Sequence, residues 1–239
     1  MVPPEPYTFA MQSAEIELKF PIDDLPGLQV RLPTLGFQLD TPRTFEQNTL
    51  YDTPARALRQ SKQILRLRRY GDLWILTHKR QTNSSVSGDP ARYKIRVETE
   101  THVDDGPALG LIFEQLGYVP VFLYEKFRTE WSQHAATTPS TISGPLFPGI
   151  ALPEGLATPN GHLVLDETPI GNYAELEGPP AWIDETLAAL NIDPAICLTN
   201  SYGRLFLDWK QRTGSPAESL TFDEIAALTP EPELLSTVR

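Results

Sequence analysis

The sequence predicts an α+β fold in which amphipathic strands alternate with amphipathic helices. Three observations support this. Short segments alternate charged and apolar residues with a period of two, which in a strand sends the two kinds of side chain to opposite faces. The charged positions sort into acidic pairs and basic pairs, whereas a solvated sheet mixes signs along each strand to limit repulsion. Between and after these segments lie stretches with helical spacing and capping residues.

The first strand is Glu15-Ile16-Glu17-Leu18-Lys19-Phe20, with Glu15, Glu17 and Lys19 on one face and Ile16, Leu18 and Phe20 on the other. Residues 23–35 carry Leu25, Leu28, Leu32 and Leu35 at helical spacing, with Asp23 or Asp24 as N-cap. Thr53-Pro54 reads as N-cap and first-turn proline of a short helix over Ala55 to Lys62. Leu65-Arg66-Leu67-Arg68 pairs two arginines, Ile75 to Lys79 places Ile75, Thr77 and Lys79 together, and Ile95 to Glu100 repeats the paired carboxylates with Arg96. Pro107 to Leu116 is helical, with Gly117 at the C′ position. Tyr124 to Arg128 pairs Lys126 with Arg128, Asp166 ends His162 to Asp166, and Tyr173 to Glu177 gives a third acidic pair. Helices follow over Ala181 to Leu190 and over Thr199 to Arg212, the latter with Leu205, Phe206 and Trp209 on its apolar face. Thr221-x-x-Glu224 matches a capping box opening a last helix, Phe222 to Leu228.

Carboxylates two residues apart on one face repel, and a divalent cation held through oxygen resolves that repulsion. Seven carboxylates (Glu15, Glu17, Glu98, Glu100, Asp166, Glu175, Glu177) share a pattern with six cations (Lys19, Arg66, Arg68, Lys79, Lys126, Arg128). Meeting across a shared interior, they suit a highly anionic, metal-carrying substrate: a polyphosphate. Arginine forks and lysine point charges grip phosphate oxygens, and carboxylates bind the Mg²⁺ or Mn²⁺ that phosphate also binds.

The elements Glu-x-Glu-x-Lys, Tyr51-Asp52-Thr53, Leu-Arg-x-Arg, Thr77-x-Lys79, Arg-x-Glu-x-Glu, Lys-x-Arg and Asp166…Gly171…Glu175-Leu176-Glu177 occur in that order. In this the chain resembles the CYTH proteins, among the triphosphate tunnel metalloenzymes, over roughly residues 13 to 210. The resemblance implies a closed antiparallel β tunnel of eight strands, a charged lumen, and helices covering Ile16, Leu18, Phe20, Leu65, Leu67, Ile95 and Val97 from outside. This inverts the rule that small barrels fill their interior with packed side chains. It further implies that Lys19, Arg66, Arg68, Lys79, Lys126 and Arg128 cradle a triphosphate. Glu15 and Glu17, with Glu175 and Glu177, hold one or two Mg²⁺ or Mn²⁺. Asp166, Glu98 and Glu100 complete the metal shell or orient basic side chains. Glu15, Glu17, Lys19 and Lys79 form the catalytic set. Arg96 and Asp166 read equally well as members of internal ion pairs.

The implied activity is metal-dependent hydrolysis of inorganic triphosphate or a related triphosphate. The alternatives are a class IV adenylate cyclase acting on ATP, a thiamine triphosphatase with Trp74 or Phe147 as aromatic platform, and a polyphosphate-binding module without turnover. An adaptor with an exposed amphipathic sheet is a further class. Spacing alone does not separate hydrolase from cyclase, because both hold a triphosphate with metal.

The chain of 239 residues fits one tunnel domain, 1–212, with a loop insertion near 132–161 and an extension over 213–239. Gln81 to Arg92 reads as a second long loop, and Leu146 to Ile150 as an apolar patch within the insertion. A net charge of −11 argues against a nucleic-acid surface, while a charged cleft still focuses its own field on an anion. The one cysteine, Cys197, reads as buried and structural. His78, His102, His134 and His162 show no metal-ligand spacing, and His78 faces away from Lys79. Tyr51 belongs to the site or to its wall, and Ser201-Tyr202 to a packing or plugging role. No basic start followed by an apolar run, and no run near the ~20 residues of a membrane helix, leads to the expectation of a cytoplasmic protein without a membrane partner.

Overall fold

A computed structural model describes residues 11–81, 92–134 and 159–228. The eight strands are β1 (Met11–Ile22), β2 (Phe37–Asp52), β3 (Ile64–Tyr70), β4 (Leu73–Gln81), β5 (Lys94–Val103), β6 (Val119–His134), β7 (Pro159–Thr168) and β8 (Gly171–Glu177). They close into an antiparallel barrel in the order β1-β5-β4-β3-β2-β6-β7-β8. Among the described residues six α-helices accompany it: α1 (Leu25–Arg31), α2 (Ala57–Gln60), α3 (Gly106–Gln115), α4 (Pro180–Leu190), α5 (Tyr202–Thr213) and α6 (Phe222–Leu228).

The period-two pattern decides which side of the wall is dry. Leu18 and Phe20 point outward with Leu163, Leu165 and Leu176 into a core completed by Leu28, Ile183, Leu187 and Leu190 of α1 and α4. Ile16 and Ile95 pack at its margin. Trp182 of α4 lies so close to β7 that a Cβ on Gly161 would meet its ring at 2.4 Å. Glycine there lets the helix approach the sheet. On the far side α3 covers Leu65 and Leu67, with Phe113 edge-on to Tyr51 at 5.1 Å between ring centres. Tyr51 therefore belongs to the outer wall.

Several boundaries differ from the sequence reading. The 23–35 segment splits into α1, capped by Asp24, and a 3₁₀ turn at Leu32–Leu35, where Pro33 sits in the first turn. The helix expected over Ala55 to Lys62 is only Ala57–Gln60. Asp52 anchors it, its carboxylate accepting from the N–H groups of Leu58 and Arg59 at 2.9 and 3.0 Å. α5 begins at Tyr202 under a Ser201 cap rather than at Thr199. At α6, Thr221 Oγ1 accepts from Glu224 N, but the Glu224 carboxylate reaches back to the N–H groups of Glu218 and Ser219, so the box is only half formed. β6 runs to His134 and β7 starts at Pro159, so the two ends of the stretch read as an insertion near 132–161 are strand, and the rest of it lies outside the described residues. Gln81 closes β4, and the patch Leu146 to Ile150 lies outside the described residues. Cys197 is half-buried at the core margin, not fully buried.

The residues after α4 close one end of the barrel. Leu198 pairs with Lys19 through both backbone groups, and Leu220 bridges Leu123 and Glu125. Tyr124, Tyr202, Leu205, Phe206, Leu220 and Ile225 form the core that seals this end. No helix among the described residues is long and apolar enough to cross a membrane.

Candidate functional site: a charged tunnel with two unlike walls

The faces of the strands opposite the apolar cores enclose a cavity of about 340 Å³. Glu15, Glu17 and Lys19 of β1, Arg66 and Arg68 of β3, Lys79 of β4, Lys94, Arg96, Glu98 and Glu100 of β5, Lys126 and Arg128 of β6, and Glu175 and Glu177 of β8 all line it. Tyr202, at the first turn of α5, contributes to the same lining.

On one wall every buried charge is ion-paired, although Glu46 Oε2 has no hydrogen-bond partner of its own. Asp166 is fully buried and accepts from Lys126 Nζ at 2.9 Å, from Arg128 Nε and Nη2 at 2.8 and 2.7 Å, and from the Tyr202 hydroxyl at 2.6 Å. Burial raises its pKa, but Arg128 and Lys126 outweigh that and hold it below the usual carboxylate range. Glu46, also fully buried, faces Lys126 at 3.3 Å and Arg68 at 3.5 Å. Glu175 pairs with Lys19 and, at 2.9 Å, with Arg128. The Lys19 ammonium sits 4.1 Å from the centre of the Tyr202 ring, adding a cation–π contact.

On the other wall the carboxyl groups outnumber the bases paired with them. Lys79 bridges Glu15 at 2.8 Å and Glu98 at 2.9 Å, and Arg66 reaches Glu100 at 3.4 Å and Thr77 at 3.1 Å. Lys94 pairs with Glu17. Glu177 makes no ion pair among the described residues, and carboxylate oxygens of Glu15, Glu17 and Glu177 lie within 4.8 Å of one another. Burial, then the charges of Glu15, Glu175 and Glu17, push the Glu177 carboxyl up to about 8. Burial also pushes Glu98 up to about 7, since Lys79 only partly offsets it against Glu15 and Glu100. Glu15 goes the other way: burial would raise it, but Lys79 holds it down to about 2.

These features fit a hard divalent cation. The donor set is oxygen only, which suits Mg²⁺ or Mn²⁺, and the crowding of Glu15 and Glu17 against Glu177 that pushes its carboxyl up is what such a cation would relieve. Anion-binding capacity stands beside it. Arg66 Nε is buried with no hydrogen-bond partner, and Arg96, the register partner of Glu15, makes no ion pair among the described residues.

The tunnel therefore brings together every charged residue singled out from the sequence, in two environments. Glu15, Glu17 and Glu177 gather as a possible metal group, whereas Asp166 and Glu175 are occupied by basic side chains and Glu98 and Glu100 brace Lys79 and Arg66. Lys19, Arg66, Arg68, Lys79, Lys126 and Arg128 all line the cavity. Sequence reasoning missed Glu46 and Asn48, which lie in a β2 stretch polar on both faces, and Glu130, which accepts from the Tyr70 hydroxyl at 3.0 Å. It also left out Lys94, which stands two residues before Arg96 on the same face. Trp74 is not at the mouth: it packs beneath α3 against Gly106, where a Cβ would meet its ring at 2.1 Å. His78 lies outside, bonded to Gln63 at 2.9 Å, and Phe147 is outside the described residues.

A model of the CYTH domain matches residues 13–177. No curated protein matches the chain in sequence. Among solved structures, an archaeal protein from Pyrococcus horikoshii superposes with a TM-score of 0.57 at 19% identity, over 82% of this chain and 99% of its own. A proposed adenylate cyclase from Vibrio parahaemolyticus gives 0.56 at 18% identity, over 81% and 97%. A proposed adenylyl cyclase from Hippeastrum, described as having a dominant triphosphatase activity, gives 0.50 at 18% identity, over 83% and 96%.

Proposed function

The chain belongs to the CYTH family, and from that premise we propose that it is a metal-dependent phosphohydrolase acting on inorganic triphosphate or a related triphosphate inside the barrel. The observation that carries this reading is the pairing, in one cavity, of a three-carboxylate group short of positive charge with arginine donors short of partners.

In this reading Arg66, Arg68 and Arg96 grip phosphate oxygens from β3 and β5, with Lys79 adding a point charge between them. Lys19, Lys126 and Arg128 approach from the opposite wall. Glu46, Asp166 and Glu175 hold them in place, so their charge is preorganised and costs no reorganisation when the substrate's charge shifts. Glu15, Glu17 and Glu177 would hold Mg²⁺ or Mn²⁺. Bound there, the metal supplies charge neutralisation of the phosphate oxygens and acidifies bound water. Water attacks the terminal phosphorus in line, the bridging P–O bond breaks, diphosphate leaves, and the proton that the water gives up passes to the departing phosphate oxygens or to solvent.

The test is product analysis with Mg²⁺ or Mn²⁺ and, in parallel, inorganic triphosphate, ATP and thiamine triphosphate, with Glu17→Gln as control. Phosphate release from triphosphate, lost in the control, is the expected result. Cyclic AMP with diphosphate from ATP would make the protein a cyclase instead. Tight triphosphate binding without turnover of any of the three would make it a binding module.

A further inference from the structure

Glu17 belongs to two groups at once, an ion pair and a cluster of carboxylates. Across the ladder it is the register partner of Lys94 on β5 and of Glu177 on β8. Its carboxylate pairs with Lys94 and also belongs to the group whose oxygens lie within 4.8 Å of one another. It is only 8% exposed, so it keeps little water as an alternative partner.

Lys94 differs from the other lumen lysines. Lys79 is held by two carboxylates, Lys126 by Asp166 and Glu46, and Lys19 by Glu175 and the Tyr202 ring. Among the described residues Lys94 has one carboxylate partner, and that partner is in the metal group. A divalent cation arriving among Glu15, Glu17 and Glu177 repels the adjacent ammonium and competes for the same oxygens, and both effects are large in a site screened from water. The lysine stem is flexible, and Lys94 already lines the cavity next to Arg96.

We propose that Lys94 is an exchangeable internal cation. It neutralises Glu17 while the metal is absent, and it transfers to the phosphate oxygens of an oligophosphate once the metal takes Glu17. Metal and substrate are thereby coupled through one side chain: the metal frees a cation for the anion that follows. The second half of this proposal rests on the triphosphate reading.

The experiment measures two affinities in wild type and Lys94→Met. Mn²⁺ binding to the substrate-free protein is followed by calorimetry. Binding of a methylene-bridged, non-hydrolysable triphosphate is followed at saturating Mn²⁺. The variant should bind Mn²⁺ more tightly, on the order of tenfold, and the analogue more weakly by a similar factor. Opposite signs are the signature, since a merely structural lysine would weaken both together. Unchanged or weaker Mn²⁺ binding overturns the proposal, and tighter Mn²⁺ with unchanged analogue binding overturns the transfer. Should wild type bind Mn²⁺ but fail to turn over triphosphate, the functional reading falls while the metal competition is still decided by the first affinity. If Lys94→Met does not fold, Lys94→Gln is measured the same way.

Discussion

The two walls of the tunnel are built from the same residue types and behave as opposites. Around Asp166 every buried charge has a partner, so the wall is a finished scaffold. Around Glu177 three carboxyl groups converge, and burial with the neighbouring acids pushes the Glu177 carboxyl up to about 8, so a cation has a place there that the first wall does not offer. The difference lies in stoichiometry: on the first wall bases surround the acids, and on the second the acids outnumber the bases that reach them. A scaffold of this kind holds shape, while a charge deficit selects a ligand.

Breaking the finished wall should have the largest effect. Asp166→Asn leaves Lys126 buried with Glu46 as its one remaining ion-pair partner among the described residues, and takes from buried Arg128 the two-point partner it holds beside Glu175 and Glu46. Losing one partner of a buried ionic network costs about 3–5 kcal/mol, a fall of about 10 °C in melting temperature for a chain this size. A drop under ~3 °C by calorimetry would show that this wall is not the scaffold described. On the incomplete wall, Glu177→Gln should spare the metal-free melting temperature at pH 8, since it removes a repelled carboxyl. It should also abolish stabilisation by Mn²⁺, which in wild type reaches about 2.7 kcal/mol at one hundred times the dissociation constant. Equal Mn²⁺ stabilisation in the two proteins would exclude Glu177 from the metal group.

A smaller effect is expected at the floor. Tyr202→Phe deletes the hydroxyl that donates to Asp166 but keeps the ring beneath Lys19. Hydrogen bonds to charged groups are worth about 1.5–3 kcal/mol, and chemical unfolding should show a loss at the low end of that range. No measurable loss would mean that Lys126 and Arg128 satisfy Asp166 without it.

The most graded effect is on pH. The carboxyls of Glu98 and Glu177 rise from about 4.5 to about 7 and about 8. Below 4.5 they are protonated whether the chain is folded or not. Between 4.5 and 8 the unfolded chain releases protons that the folded chain keeps, so metal-free stability falls with rising pH across that window. Glu15, held down to about 2, does the reverse and costs stability as pH falls from 4.5 towards 2. Metal-free protein should therefore melt highest in mildly acid buffer, with Mn²⁺ stabilisation growing towards pH 8 as it displaces the proton on Glu177. A melting temperature that climbs steadily from pH 5 to 8 without metal would contradict this picture.

Alternation alone sorted Glu15, Glu17, Lys19, Arg66, Arg68, Lys79, Lys126, Arg128, Glu175 and Glu177 onto one face, because a strand leaves a side chain only two directions. It did not say which acid meets which base. That depends on register between strands far apart in the chain, such as Lys126 facing Glu46 and Glu17 facing Lys94. Glu46 stayed hidden because Glu46-Gln47-Asn48-Thr49 is polar on both faces and gives no contrast to read. Trp74 was misplaced for a related reason: an aromatic at a strand end reads equally as rim or as outer wall, and only α3 settles it.

The sealed end of the barrel bears on how the chain reaches this structure. Lys19 near the start is tied to Leu198 by two backbone hydrogen bonds, and β1 closes against β8. These are contacts of very high sequence separation, whose loop entropy is paid before they return any stability. Until Leu198 and Leu220 dock, part of β1 and part of β6 offer bare backbone groups to any neighbouring strand. Refolding should accordingly be slow and concentration-sensitive, with the barrel's last closure, and not the pairing of its hairpins, setting the pace.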